Sequence, residues 1–374
     1  MDRKTLKTLL DGTFELAFPV CELRQRGTHE PEVFLGGGFL SQDEHGRLIL
    51  RMVAGGHRSV GEAVKRQLLP HAQVGKLFPE TAYYDLRCET STGEEWRAER
   101  VCPSFSYGPR GTSARIRISH IEHQRELSKS LKKGVASTFI AGNVDLPWHV
   151  WTATGELSGA LDQFKHETER FAWGAKREEG GVRLQFSAVG VPIERAFSSF
   201  LRALSIGIGR VVDAPTYTFL QESSEIERLA TQNTEVASLR LLPPFGRSRD
   251  DAAALHAFLV AYLERATTSR DDDGREEEGA FCDSVYAAWY RVLRARQGDL
   301  DNYALVLGVM VEGLISKLFS TEHDQDPGFL AQVQDAKEAI NGLSLSSRAR
   351  DCILSSLGNA VKVRPVDVLR RLVD

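Results

Sequence analysis

Histidines are the side chains of this sequence best suited to proton transfer or metal binding, and ten are present. Only His120 and His123 are close together, within segment 119–124. On a helix they would share a face and could hold a metal ion, whereas on a strand they would point to opposite faces. Neither a His-Glu-x-x-His pattern nor a cysteine partner supports a metal. The sequence therefore predicts no metal site and no cofactor.

Other catalytic constellations cannot be assembled from the sequence. No Gly-x-Ser-x-Gly is present, and no cysteine stands in a recognisable nucleophile context. Glycine clusters occur at 36–38, 108–111 and 207–209, but none continues into Lys-Ser/Thr or forms G-x-G-x-x-G between a strand and a helix. Turns and bulges account for them. Trp148 and Trp151 could stack a base or a sugar, but a place in a buried core is the preferred interpretation.

Bulk composition is that of an ordinary globular protein. The 374 residues are 42% hydrophobic and 26% charged, with a net charge of −4, so no global charge favours nucleic acid. Segment 1–7 lacks the apolar stretch of a signal peptide, and no run is long enough to cross a bilayer. The five cysteines are scattered and odd in number, which favours reduced thiols. We therefore expect a cytoplasmic protein without a membrane partner.

Short β-like runs separated by glycine, proline and charged turns dominate residues 12–190. In segment 114–119, isoleucines alternate with arginines and a serine, which is typical of a strand with one wet face. Many short strands at regular spacing predict an antiparallel sandwich or barrel. Further strands are predicted at 14–18, 33–35, 48–53, 83–88, 137–140, 149–152 and 182–186.

The end of this β-rich domain contains a predicted helix. Pro192 suits a first helical turn, and apolar residues share one face from 193 to 208. A return to the sheet is predicted at 217–220 and a short polar helix at 224–233. The Pro- and Gly-containing segment 241–246 predicts a domain boundary, so the first domain is expected to span 1–245.

Residues 250–374 are predicted to form an all-α second domain. One helix, 303–319, is apolar nearly all round and must therefore be packed on several sides. Its one carboxylate, Glu312, would then lie where a charge is costly unless paired. The overall expectation is an α+β chain, an antiparallel β-sandwich or barrel-like domain followed by a helical bundle. The other helices are predicted at 250–266, 281–297, 329–340 and 347–357.

Three segments of the helical half resemble a known family. Ala-Ala-Trp-Tyr-Arg at 287–291, the apolar run at 303–314 and Val-Arg-Pro-Val-Asp-Val-Leu-Arg-Arg-Leu at 363–372 are together similar to the HEPN superfamily. Within it, the similarity is greatest to the ApeA-like group of bacterial defence proteins, and it covers residues 250–374. The resemblance implies a β-rich sensor domain before a HEPN-like bundle, a homodimer formed through that bundle, RNA as a partner, and a role in antiviral abortive infection.

Active HEPN ribonucleases carry an Arg-x4–6-His motif at the start of the last long helix. Imidazole would transfer the proton and guanidinium would hold the phosphate in metal-independent RNA cleavage. Three pairs match that spacing, but none lies on the last helix, so no catalytic role is assigned to them. They are Arg115 with His120, Arg117 with His123, and Arg249 with His256.

The resemblance also places other residues around the missing motif. Glu312 would face the motif helix in a structural or assisting role, and Arg348 and Arg350 could line the same cleft, although a solvated helix start also explains them. An amphipathic run at 366–373 ends with the chain, before the expected Arg/His helix. Either it is a C-terminal helix docked on the bundle, or further sequence normally follows it. We therefore expect a defence-associated, HEPN-like sensor and effector that is inactive as a ribonuclease in this form. The alternative is a non-enzymatic dimerisation or protein-interaction module.

Overall fold

The computed structural model describes residues 3–360 except for 56–78, 109–110, 129–130, 132, 143, 152–155, 160–161, 233–237, 247, 268–276, 320–326 and 344–345. The chain divides into two compact units, Met1–Cys282 and Asp283–Asp374. The amphipathic run predicted at 366–373 and most of the acidic segment 270–279, which the sequence predicts to be a solvated loop, lie outside the described residues.

The first unit contains a helix, α1 (Arg3–Leu10), and 15 strands among its described residues, all joined in one antiparallel-dominated sheet. The strands are β1 (Glu15–Gln25), β2 (Val33–Gln42), β3 (Leu48–Ala54), β4 (Tyr84–Glu89), β5 (Glu95–Gly108), β6 (Gly111–Ile118), β7 (His120–Glu126), β8 (Gly134–Ala141), β9 (His149–Trp151), β10 (Leu157–Gly159), β11 (Gln163–Glu167), β12 (Phe171–Glu178), β13 (Gly181–Ala188), β14 (Thr216–Gln221) and β15 (Ser224–Ala230).

The first six strands close into a barrel. Their order is β5-β4-β1-β2-β3-β6, and pairing of β5 with β6 completes the ring. Every second side chain of a barrel strand points inward and fills the interior, as Ala114, Ile116 and Ile118 do on β6. Gly36 on β2 has a packing reason, since a Cβ there would lie 1.9 Å from the carbonyl oxygen of Val53.

The remaining strands continue the sheet from the barrel, in the order β7-β15-β14-β8-β13-β12-β11-β9-β10. Two helices, α2 (Ile193–Gly207) and α3 (Arg249–Thr267), pack together beside these strands. The predicted apolar face of α2 is confirmed, because Phe197, Phe200 and Leu204 are fully buried in a core shared with strands β11 to β13.

The predicted polar helix at 224–233 is wrong, since residues Ser224–Ala230 form strand β15 between β14 and β7. Cross-strand ion pairs allow so polar a strand. Arg125 on β7 donates to Glu225 at 2.9 Å, and Arg228 pairs with Glu122. Strand partners far away in sequence, rather than local propensity, decide this segment.

The division between units falls after Cys282 instead of near residue 245. Leu255, Leu259 and Leu263 of α3 are fully buried in the core of the first unit. Tyr262 also donates its hydroxyl to the backbone oxygen of Cys282 at 2.8 Å. The helix predicted to open the second domain therefore completes the first unit.

The second unit is helical, and the α+β class is confirmed. Its described helices begin with α4 (Glu277–Ala295), which starts in the first unit, and continue with α5 (Leu300–Phe319), α6 (Pro327–Asn341) and α7 (Ser347–Ala360). All four predicted helices of this half are present near their predicted positions. Their arrangement as a HEPN-like bundle stays a prediction. No helix in the described part of the chain has the length and hydropathy needed to span a membrane.

The expectation that α5 is packed on several sides is wrong. Within residues 300–314, where side-chain burial is described, only one stripe is half-buried, formed by Tyr303, Val306, Met310 and Leu314 at spacings of three and four residues. The apolar residues on both sides of that stripe are exposed, with Leu305 at 66% and Val309 at 49%. An apolar sequence shows that a helix needs cover, but not that its own chain supplies it.

Candidate functional site

The residues implied by the family resemblance do not meet in a buried cleft. Glu312 is exposed on α5, so the prediction of a buried, costly carboxylate is wrong. Arg348 is exposed near the start of α7. Arg350 is half-buried and donates to the backbone oxygen of Leu343 at 3.1 Å. Among the described residues, no hydrogen bond or ion pair joins Glu312 to either arginine.

The histidine pair singled out from the sequence is not a ligand pair. His120 and His123 lie three apart on strand β7 and therefore point to opposite faces. The Nδ1 atom of His123 is 2.8 Å from the backbone oxygen of Glu95, which accounts for one of its ring nitrogens. In the described ranges, no three His, Cys, Asp or Glu side chains are placed to hold a metal ion.

A different set of histidines does converge, which we call the imidazole cluster: His149 on β9, His166 on β11 and His256 on α3. Strand periodicity brings the first two together. Strands β9 and β11 run parallel with Val150 opposite Lys165, so the side chains flanking these residues share the inner face. Helix α3 covers that face and adds His256.

Aromatic rings surround the imidazole cluster closely. The His256 ring stacks on Phe164, with ring centroids 4.4 Å apart and ring planes at 9°. Its centroid lies 5.7 Å from that of Trp173. The His166 and His256 centroids are 4.9 Å apart, and Trp151 meets His166 edge-on at 5.1 Å. Trp151 is thus part of this packed cluster, as the core interpretation predicted.

The buried imidazoles are short of hydrogen-bond partners. His256 is 1% exposed, and neither of its ring nitrogens has a partner among the described residues. The Nδ1 atoms of His149 and His166 are likewise buried and unpaired. Such groups are uncommon in folded proteins and cost stability. The unpaired ring nitrogens of the cluster therefore lower the stability of the first unit where helix α3 packs on the sheet.

Burial sets the protonation state of these rings. Desolvation lowers the pKa of His256 to about 3, with smaller contributions from His166 and His149, and desolvation also lowers the pKa of His166. His256 is therefore neutral at pH 7 and out of contact with solvent. Its burial makes the free energy of unfolding depend on pH. The ring cannot exchange protons with a substrate at the surface.

The second feature that could act on another molecule is the α5 apolar surface, which we define as Leu305, Leu307, Val309 and Val311. All four side chains are exposed by 38% or more. Leu305 and Val309 form one exposed apolar pair, and Leu307 and Val311 form a second pair on the other side of the half-buried stripe. Exposed apolar side chains that cluster in this way mark interaction sites in folded proteins. Glu312 is an exposed carboxylate within the same stretch of helix.

Comparison with known proteins assigns no relative. No family model matches the chain, and neither the curated proteins nor the solved structures contain a match. The function of the chain therefore has to follow from its own residues.

Sequence reasoning missed the imidazole cluster because its three histidines are separated by 17 and 90 residues, counted from their numbers. A local signal was present. His149 with Trp151 and Phe164 with His166 are both spaced by two within predicted or short strands, which places each pair on one face. The helix that brings His256 to that face could not be identified from the strands alone.

Proposed function

We propose that this chain is a defence-associated protein of the cytoplasm, with a β-rich sensor unit and a helical effector unit that acts by associating with a second copy of itself. The α5 apolar surface carries the proposal. It lies on the helical unit, which in the HEPN resemblance forms the homodimer. The broader sensor and effector roles, and RNA as a partner, rest on that resemblance and on the two-unit layout.

A second copy is the partner that the α5 apolar surface suits best. A two-fold axis places the same patch on both chains, so a self-complementary apolar helix needs no other partner. Leu305 and Val309 are four residues apart and share one helix face, as do Leu307 and Val311. A facing helix covers the Leu305 and Val309 side chains by coiled-coil-like packing.

Self-association should matter for protection in cells. Bacteria expressing the chain are expected to form fewer plaques on phage challenge than cells with an empty vector. The variant with Leu305→Asp and Val309→Asp should lose that protection, because charged side chains oppose burial of the patch. A plaque count with equal protein levels measures it. Full protection by the variant would overturn the proposed role of association, and no protection by the unaltered chain would overturn the defence role.

No ribonuclease activity is expected of this chain. Of the three Arg and His pairs with HEPN-like spacing, Arg249 and His256 lie on α3, where Arg249 is exposed and His256 is buried. The pair therefore offers no accessible base beside a phosphate-binding group. A labelled RNA incubated with the chain in a chelator should remain intact. Robust cleavage that is lost on Arg249→Ala or His256→Gln would contradict this expectation.

The alternative function, a non-enzymatic interaction module, is favoured by the same exposed helix. It shares the prediction of a stable dimer but predicts no affinity for RNA. A gel shift with RNA on the full chain separates the two: a shifted complex supports the sensor and effector proposal, and its absence supports the module.

A further inference from the structure

The outward side of the barrel carries an arginine and phenylalanine surface, which we call the barrel face: Phe39 on β2, Arg51 and Val53 on β3, and Arg115 and Arg117 on β6. Strand register aligns it. Phe39 is the partner of Arg51 on the neighbouring strand, and Arg51 is the partner of Arg115 on the next. All five side chains are exposed.

Charge on the barrel face is uncompensated. Arg51, Arg115 and Arg117 have neither a hydrogen bond nor an ion pair with any described residue. Arg51 and Arg115 also stand directly opposite each other, an arrangement that destabilises a sheet. The next strand, β5, places Ser104 opposite Arg115, so it adds no carboxylate there.

Elsewhere on the same barrel, exposed arginines are neutralised. Arg24 lies 3.1 Å from Glu22, Arg100 lies 3.3 Å from Glu80, and Arg87 pairs with Glu95. Among the exposed arginines of the barrel that the structure describes, those without a partner therefore lie on the barrel face. A fold that keeps like charges together at a cost in stability indicates a ligand that offsets the repulsion.

Apolar side chains interrupt the arginines. Phe39 is 62% exposed and Val53 is 65% exposed. Gly37 is the partner of Val53 on β2, so no side chain screens Val53 on that side. A pocket of 330 Å³ adjoins the face at the β5–β6 turn, and its lining includes Val53, Tyr107 and Ser113. An exposed ring beside guanidinium groups is the pattern that stacks an unpaired base and holds its phosphates.

We propose that the barrel face binds single-stranded nucleic acid, with Phe39 stacking on a base and Arg51, Arg115 and Arg117 contacting phosphates. This rests on the sensor role proposed for the first unit and names the ligand class of that sensor. Neighbouring strands are about 4.8 Å apart and alternate residues on one strand about 6.7 Å apart, so the face spans a few nucleotides. In a duplex the bases are paired and stacked, which leaves Phe39 without a base.

The test is direct binding by the full chain at neutral pH, followed by fluorescence anisotropy. The probes are labelled 12-nucleotide oligouridine and oligothymidine and a 12-base-pair duplex. Both single strands should bind, and the duplex should bind more weakly. The affinity should fall with salt with a log–log slope of about −2, as expected for three phosphate contacts on a single strand. Preference for the RNA or the DNA strand identifies the natural source.

Two substitutions isolate the barrel face. Phe39→Ala should weaken binding by about tenfold through loss of base stacking. Arg51→Glu should abolish measurable binding while keeping the fold, because it replaces an opposed arginine pair with an opposite-charge pair and should leave Tm unchanged or higher. Arg24→Glu, which makes the same charge change outside the face, should bind as the unaltered chain does.

Several outcomes would overturn the proposal: no binding of either single strand, equal binding of the duplex, or equal loss of binding in the Arg24→Glu control. Displacement of the oligonucleotide by an acidic peptide at equal charge concentration would also overturn it, in favour of a protein partner. None of these results bears on self-association through α5. Failure of this site and failure of the proposed effector mechanism are therefore distinguishable.

Discussion

Acidification from pH 7 to pH 5 is expected to lower the free energy of unfolding of the first unit by on the order of 2 kcal/mol through His256 alone. The ring is buried under α3 with no hydrogen-bond partner among the described residues, and its pKa is lowered to about 3. Urea unfolding followed by tryptophan fluorescence at both pH values measures the difference. Trp151 and Trp173 lie within reach of this ring and report on it.

The direction follows from proton binding in the two states. Below its ordinary pKa of about 6.5, His256 takes up a proton in the unfolded chain, whereas the folded chain resists until the pH approaches 3. The unfolded state therefore binds more protons in this window, and stability falls as the pH falls. Well above pH 6.5 the ring is neutral in both states, so the contribution vanishes.

Substitution at the same position separates this effect from general acid denaturation. His256→Leu keeps an apolar side chain under α3 and removes the titrating ring, so its loss of stability between pH 7 and pH 5 should be about 2 kcal/mol smaller. At pH 7 it should be as stable as the unaltered chain or more so, because unpaired buried nitrogens are removed. His29→Gln changes an exposed histidine and should leave the pH profile unaltered. An identical pH profile in His256→Leu would contradict the assignment.

Aspartate at Leu305 and Val309 together is expected to weaken self-association by about a thousandfold in Kd. Each side chain loses an apolar contribution of about 1 kcal/mol in each copy of a symmetric pair, or about 4 kcal/mol in all. Both are exposed in the single chain, at 66% and 49%, so the substitutions should not disturb the folded unit. Light scattering after size-exclusion chromatography measures the mass.

A control that adds the same kind of charge lies on another helix. Gln332 is exposed on α6, away from the face of α5 that carries Leu305 and Val309 in sequence, and Gln332→Glu adds a negative charge there. It should leave the Kd within a few-fold of the unaltered value. Equal dissociation by Gln332→Glu would indicate that net charge, and not burial of Leu305 and Val309, governs association.

Much of the secondary structure could be predicted from local sequence. A short β-like run after a turn identified β3, alternation identified β6, and Pro192 with its apolar stripe identified α2. These elements are decided by which face is apolar, which a sequence states directly. Strand β15 was misread because it carries polar side chains on both faces. Its pairing with β7, where Arg125 contacts Glu225 and Glu227, makes it a strand.

Long-range packing could not be predicted in the same way. The apolar sequence of α3 fits either unit, and only the shared core with Phe164 and Phe200 assigns it to the first. The apolar sequence of α5 indicated burial, yet the chain leaves Leu305 and Val309 exposed. In both helices the apolar sequence indicates that a face should be covered. Only the tertiary structure shows that α3 is covered by the first unit and that Leu305 and Val309 of α5 are exposed.

More of the barrel face than of the imidazole cluster could be predicted from the sequence. Arg115 and Arg117 were correctly expected on the wet face of a strand, but their register with Arg51 and Phe39 needed the pairing of β2, β3 and β6. The imidazole cluster needed the parallel pairing of β9 with β11 and the docking of α3. Neither arrangement follows from spacing along the chain.

Sedimentation equilibrium of the unaltered chain at neutral pH, over concentrations from 0.1 to 50 micromolar (roughly the range in which specific dimers form), tests the central claim most directly. An α5-mediated pair predicts a monomer and dimer equilibrium that approaches twice the mass of one chain, and a monomer for the Leu305→Asp, Val309→Asp variant. A single species with the mass of one chain at every concentration would contradict the account.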